Sequence, residues 1–386
     1  MALRIGQTLR GARWDYLLVE SLGSRTVRSS VFKAEIISRS QSQLPGKWAV
    51  IKTTSPPSHT SLPNTQYTIR PPAPGESGSV IEWNFNYVPE VSEKQILNML
   101  KNEHARHMNP VIRSSRHFRA MYEAVDIQDI STKEDSLCLA YEWMDCTLKD
   151  VSSGSHLKSS ALHKNISEAV LGALAELKSQ QLAHTDIKND NILISDLHGP
   201  SPVVKLGDLG LVRPEGFNRF PIQPIAMRAP EVWSGIGCFH SSDVWALAVT
   251  LFDWLSPRVF GAHDMPEGHW PHPWAMAKLL RLFPGSVQAH PTDPDYQGYF
   301  EIAELIQKSG CGDNTDPKCF EIGSFEEELG KLDISPPLAD FLRYLLVVDY
   351  KRRPTASDAL KSQQLQRLGE GVWPRCHDAA IDQVGA

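Results

Sequence analysis

His184, Asp186, Lys188 and Asn191 stand at the spacing H-x-D-x-K-x-x-N, and the apolar run after them ends in Asp208-Leu209-Gly210. Within one short stretch the chain thus collects two acids, an ammonium and an amide. Asn191 and Asp208 offer hard oxygen atoms of the kind Mg²⁺ takes. Phosphoryl transfer asks little covalent chemistry of a protein, but it needs fixed anions and donors around a metal-bound triphosphate. Taken singly these residues are ordinary, and an Asp-Asn pair usually marks a turn. Their conjunction is informative, because NDNILI and VVKLGDLG read as two short strands that hold the side chains at one edge.

The elements that must position this set can be read in order. Trp14 to Glu35 reads as a hairpin, with WDYLLVESL and SSVFKAEII around a turn containing Gly23. KWAVIKTT (47–54) is an apolar strand with one inward lysine, Lys52, whose simplest reading is a charge at a strand end. Residues 53–90 are Pro- and Ser-rich and read as a mobile insertion with no core of its own. Val91 to His104 reads as a helix with Ser92 as N-cap and Ile96, Leu97, Met99 and Leu100 on its apolar face. Glu93 lies in its first turn, where an acid also suits the helix dipole, and Glu103 lies near its end. SLCLAYEWMDCTLKDV (136–151) reads as a buried strand that runs into an extended connector and a helix start. Residues 161–180 follow as a helix, and a long irregular stretch (258–335) further on carries helical patches such as WAMAKLLRLF.

The catalytic-loop spacing, the D-L-G segment, Ala229-Pro230-Glu231 and the late arginine of YKRRPTASDAL together resemble the protein-kinase family. The resemblance runs from about Trp14 to Leu368. It implies an α+β, bilobal fold: an N-terminal extension (1–13), a small β-rich lobe with one main helix (14–142), a hinge (143–147), a larger helical lobe (148–370) and a disordered tail (371–386). It implies ATP and Mg²⁺ as cofactors and a protein Ser/Thr hydroxyl as acceptor, since a lysine two residues after the loop aspartate is typical of Ser/Thr enzymes. In that frame Asp186 orients the hydroxyl and accepts its proton, Lys188 faces the transferring phosphoryl group, and Asn191 and Asp208 hold the metal. Gly23, Val31, Lys52, Glu142, Met144 and Leu193 would line the nucleotide, with Tyr141 behind the adenine. E-K-x-I-L is how many kinases write the helix whose glutamate pairs the strand lysine, which makes Glu93 the expected partner of Lys52. Asp243 would bond the catalytic-loop backbone, and Arg353 would pair with Glu231. RAPEVW, AMAKLLRLFP and LADFLRYLLVVDYKRRPTASDAL look most like fungal SR-protein-kinase-like sequences.

Four departures from the family pattern motivate an alternative, a pseudokinase that binds nucleotide or scaffolds partners. The phosphate loop LGSRTVRSSVFKA keeps only Gly23, Thr185 replaces the usual arginine, Pro224 replaces a threonine, and Leu209 replaces phenylalanine. The stretch from Asp208 to Glu231 contains no Ser, Thr or Tyr, so it is not expected to be switched on by its own phosphorylation.

Bulk composition narrows the classes. Hydrophobic content of 41% and charged content of 22% fit a soluble globular protein. A net charge of −6 argues against nucleic acid as a main partner, and no apolar run suits a secretory signal or a membrane span. The six cysteines are dispersed without zinc-pair spacing and read as thiols of a reducing compartment, cytoplasmic or nuclear.

Overall fold

The computed structural model describes residues 3–23, 30–38, 44–54, 66–70, 80–84, 93–125, 137–156, 161–199, 201–218, 222–266, 270–285, 294–308 and 321–368. The tip of the phosphate loop (24–29), Ser92, Cys311, Cys319 and the tail after 370 lie outside them. The chain divides into two compact units, Met1–Arg113 with Ala120–Trp143, and Ser114–Arg119 with Met144–Ala386.

The first unit is built on an antiparallel sheet. Its strands are β1 (Thr8–Arg10), β2 (Trp14–Gly23), β3 (Ser30–Ser38), β4 (Trp48–Thr53), β7 (Met121–Val125) and β8 (Cys138–Glu142), in the order β1-β2-β3-β4-β8-β7. Gly23 pairs with Val31 and so ends a strand, not a turn; the ladder slips between Leu18 and Glu20 and again before Gly23. Strand alternation sorts the side chains between two faces. Tyr16, Leu18, Ala34, Ile36, Ala49, Ile51 and Ala140 form a core on one. Val50, Leu139 and Tyr141 pack with Leu100 on the other, and Val31 lies against them. Leu100 belongs to α1 (Glu93–His107), a helix one turn longer than its apolar residues suggest, and α2 (Pro110–Ser114) follows it. The insertion is not devoid of regular structure. Its YTI and VIEW segments form a separate hairpin of β5 (Gln66–Arg70) and β6 (Val80–Asn84), with Thr68 opposite Glu82. Alternating β-branched and aromatic residues favour that pairing, despite the proline-rich flanks.

The second unit is helical around α3 (Ala161–Ser179) and α5 (His240–Leu255). From Ser241 to Leu255 every residue of α5 except Asp253 is buried, so this helix is the axis of the core. Short strands lie beside it: β9 (Cys146–Thr147), β11 (Ile192–Ser195) and β12 (Val203–Leu206) form one sheet, and β10 (Leu182–Ala183) pairs with β13 (Arg213–Pro214). The remaining helices are α4 (Pro230–Trp233), α6 (Pro271–Leu282), α7 (Pro294–Lys308), α8 (Phe325–Gly330), α9 (Pro336–Leu345), α10 (Ala356–Lys361) and α11 (Gln363–Arg367). The stretch after 258 is thus more regular than its composition suggests. Among the described residues no helix is long and apolar enough to cross a membrane.

Candidate active site

In the second unit, β11 and β12 run antiparallel with Ile192 opposite Leu206, which places Asn191 and Asp208 at the same end of the pair. Gly207 joins them: its N–H donates to Asn191 O at 2.9 Å. A Cβ at Gly207 would stand 2.9 Å from Leu193 Cδ1, so the end of that leucine side chain would have to shift to admit one. Asp208 itself has φ +57°, in the left-handed region, and its carboxylate accepts from Gly210 N–H at 3.3 Å. Aspartate is among the few residues that take this conformation readily.

The catalytic-loop side chains converge. Lys188 Nζ donates to both oxygens of Asp186, at 2.9 and 2.8 Å. Asn191 Nδ2 donates to Asp186 Oδ2 at 2.9 Å and to its backbone carbonyl at 2.7 Å. This turns the amide nitrogen of Asn191 toward Asp186, so its carbonyl oxygen is the atom a cation could take. Burial pushes the Asp186 carboxyl upward, Asp208 adds to that, and the Lys188 ammonium opposes it.

Below the loop the buried His184 is fixed as one tautomer. Its Nδ1 accepts from Asp186 N–H at 3.3 Å, so Nε2 carries the proton and donates to Gly207 O at 3.1 Å. Burial lowers this imidazole to about 4, which keeps it neutral. Asp243 of α5 accepts from His184 N–H at 2.6 Å and Thr185 N–H at 2.9 Å. Burial pushes its carboxyl up to about 7, against the two amides that favour the charge. Thr185 is a β-branched residue at φ +66°, a strained backbone held by that amide bond and by its hydroxyl, which donates to Leu211 O at 2.7 Å. Where the family carries an arginine, this chain thus ties its catalytic loop directly to the segment after Asp208.

In the first unit the strand lysine finds a different acid from the one expected. Lys52 Nζ pairs with Glu103 Oε2 at 2.8 Å, with side chains 17% and 4% exposed. Glu93 opens α1, about 15 Å along the axis from Glu103 at about 1.5 Å per residue. The reason is the face of the helix. Lys52 shares its side of β4 with Val50, which packs on Leu100, and Glu103 follows Leu100 by three residues. The buried positions Ile96, Leu100, Glu103 and His107 form one stripe, and a charged residue on an apolar stripe was the signal for this pairing.

The remaining nucleotide candidates are distributed between the units. Gly23 and Val31 lie on β2 and β3 of the first. There Glu142 N–H donates to Ala120 O at 2.9 Å, so that amide is committed to the sheet. In the second, Met144 is buried with Ser195 Oγ 3.6 Å from its sulfur, and Leu193 on β11 is 8% exposed. No cluster of three or more His, Cys, Asp or Glu among the described residues could cage a metal. Two oxygen donors, Asn191 and Asp208, suit an ion that keeps water and phosphate oxygens as its other ligands.

The family model of the protein kinase domain matches residues 75–365. The chain belongs to this family. Its chemistry in general implies ATP and a divalent metal; β1 to β4, with Lys52, precede the matched stretch. A Caenorhabditis elegans protein bearing the name ribosomal protein S6 kinase alpha-1 is 31% identical over 34% of this chain and 17% of its own length. Protein kinase ORF73 of Ictalurid herpesvirus 1 (strain Auburn) is 27% identical over 54% and 20%, respectively. The serine/threonine-protein kinase prpf4B of Dictyostelium discoideum is 23% identical over 58% and 26%. The chain therefore spans about a quarter or less of the length of these relatives.

Proposed function

We propose that this kinase domain is an ATP- and Mg²⁺-dependent enzyme that phosphorylates serine or threonine hydroxyls of proteins. The observation that carries this reading is the Asp186 carboxylate held on both oxygens by Lys188 and on one by Asn191. Mg-ATP, when bound, supplies the phosphoryl group and neutralises its charge. Asp186 receives the proton of the acceptor hydroxyl as the new O–P bond forms and the bond to the departing ADP oxygen breaks. Lys188 favours the anionic form of Asp186, opposing the effect of burial. The carbonyl oxygen of Asn191 and the carboxylate of Asp208 would hold the metal, and Lys52, paired with Glu103, would hold the α- and β-phosphates. The relation to SR-protein-kinase-like enzymes, and a cytoplasmic or nuclear setting, are part of the same proposal and rest on the motifs and the dispersed cysteines.

The deciding experiment is a thermal shift with Mg-ATP for wild type and Asp208→Asn, beside transfer of radiolabelled phosphate to a generic basic protein. Metal-dependent stabilisation and transfer are expected in wild type, and both should vanish in the variant. Stabilisation without transfer would favour the pseudokinase reading, and no shift would overturn nucleotide binding.

A second comparison tests the first unit. Glu103→Gln removes an ion-paired hydrogen bond of about 1.5–3 kcal/mol and is expected to raise the KM for ATP roughly tenfold. Glu93→Gln should stay near wild type. The opposite ranking in a nucleotide titration would reject Glu103 as the partner that matters.

A further inference from the structure

Asn189 directly follows Lys188, and its side chain meets Asp253, the one residue of α5 between Ser241 and Leu255 that is not fully buried. Asn189 Nδ2 donates to Asp253 Oδ2 at 3.5 Å. Asp253 Oδ1 and Asn189 Oδ1 are both shielded from solvent, and neither meets a donor among the described residues; the Arg258 backbone N–H also reaches the Asp253 carboxylate. An ionised carboxylate beside an amide has too many acceptors. Turning the amide by 180° changes which oxygen is served but adds no donor. Each buried acceptor left without a donor carries the uncompensated cost of its lost hydration.

We propose that Asp253 is held as a neutral carboxylic acid whose hydroxyl pairs with the Asn189 carbonyl, while the Asn189 N–H donates to the acid carbonyl. One proton then serves both orphaned oxygens. The surroundings permit it. The groups that favour the anion are, in order of effect, His263, the Arg258 backbone N–H and Lys278. Lys278 is committed to Arg258 O at 2.5 Å and to Asp264, which also takes Trp274 Nε1–H at 3.1 Å. His263 is exposed, where its charge is screened. Burial outweighs all three and pushes the Asp253 carboxyl upward.

The consequence is positional. Asp243 holds the start of the catalytic loop, and Asp253, about 15 Å further along α5 by helical rise, holds the residue after Lys188. Asp253 is therefore a positioning residue for Asp186 and Lys188, in a part of the loop that no motif position assigns. Because its folded pKa is raised, the stability it contributes is complete below the ordinary aspartate range, near 3.9, and is lost as pH rises through the raised value.

Infrared difference spectra of the purified full chain test this without any reliance on kinase activity. Wild type at neutral pH is expected to show the carbonyl stretch of a protonated carboxyl that Asp253→Asn lacks. Asp253→Asn places an N–H where the acid places its O–H. It should match the wild-type Tm at neutral pH and lose part of the alkaline decline, whereas Asp253→Ala should melt lower at neutral pH. In the transfer assay, which depends on the kinase reading, Asp253→Ala should lower kcat with KM for ATP unchanged, and Asp253→Asn should restore it. A spectrum without the difference band overturns the proposal, because Asp253 is then ionised and a water serves the two oxygens. A Tm for Asp253→Asn as low as that of Asp253→Ala overturns it as well. So does a rise in KM for a basic peptide at constant kcat, which would make Asp253 a substrate contact.

Discussion

Asp186→Asn is expected to cut phosphoryl transfer by roughly 10²–10⁴-fold, the range that a positioned general base contributes, while stabilisation by Mg-ATP stays near wild type. The substitution keeps the shape of the side chain and removes its charge and its basicity. The carboxylate takes three side-chain hydrogen bonds, two from Lys188 and one from Asn191. An amide can accept at only one atom, and its NH₂ group would face the Lys188 ammonium or the Asn191 NH₂. The loss should therefore appear in kcat, since the base acts on the hydroxyl and not on the nucleotide. Turnover near wild type would show that Asp186 is not the base. Loss of Mg-ATP stabilisation together with turnover would show that it holds the nucleotide site instead.

Arg353→Ala is expected to lower stability by about 3–5 kcal/mol, the cost of leaving one member of a buried ion pair alone. Arg353 meets Glu231 through two bonds, Nη1 to Oε1 at 2.7 Å and Nη2 to Oε2 at 3.0 Å, and the side chains are 0% and 1% exposed. The same guanidinium donates to the carbonyls of Ser241, Val347 and Val348, and it lies over the Trp245 ring. Ser242 Oγ adds a further donor to Glu231 at 2.6 Å. Truncation thus strands an anion and three carbonyls at once, and the Tm should fall by on the order of 10 °C. Lysine cannot restore the two-pronged geometry, so Arg353→Lys should rescue little. The double variant Arg353→Met/Glu231→Gln should recover part of the loss, because no lone buried charge remains. An unchanged Tm in Arg353→Ala would reject the pair as a support of the second unit.

Much of this protein is local in origin. The apolar runs around the catalytic loop become β11 and β12, and the stripe of Ile166, Val170, Leu174 and Leu177 becomes the buried face of α3. Such elements are legible because strand and helix periodicities are properties of consecutive residues. The loop residues Asp186, Lys188 and Asn191 are close in sequence, so one turn of chain brings them together. The hairpin of β5 and β6 was harder to see, since proline and serine in its flanks masked two alternating segments.

What only the tertiary structure decided is the partnering of distant side chains. Glu93 and Glu103 lie on one helix, and which of them meets Lys52 depends on the face that α1 turns toward β4. A motif written in the first turn pointed to Glu93, but packing of Leu100 on Val50 carried Glu103 inward. The hydroxyl of Thr185 reaches Leu211 because the backbone accepts a left-handed φ there, a strain that no local rule for threonine would allow. Asn189 and Asp253 are 64 residues apart and owe their contact to α5 passing beneath the loop. The sequence by itself determined the elements, the order of the motifs and the residues able to do the chemistry. Burial then decided which of those residues keep their charge and which find a partner, because the cost of an unpaired polar group depends on surroundings that only the folded chain supplies.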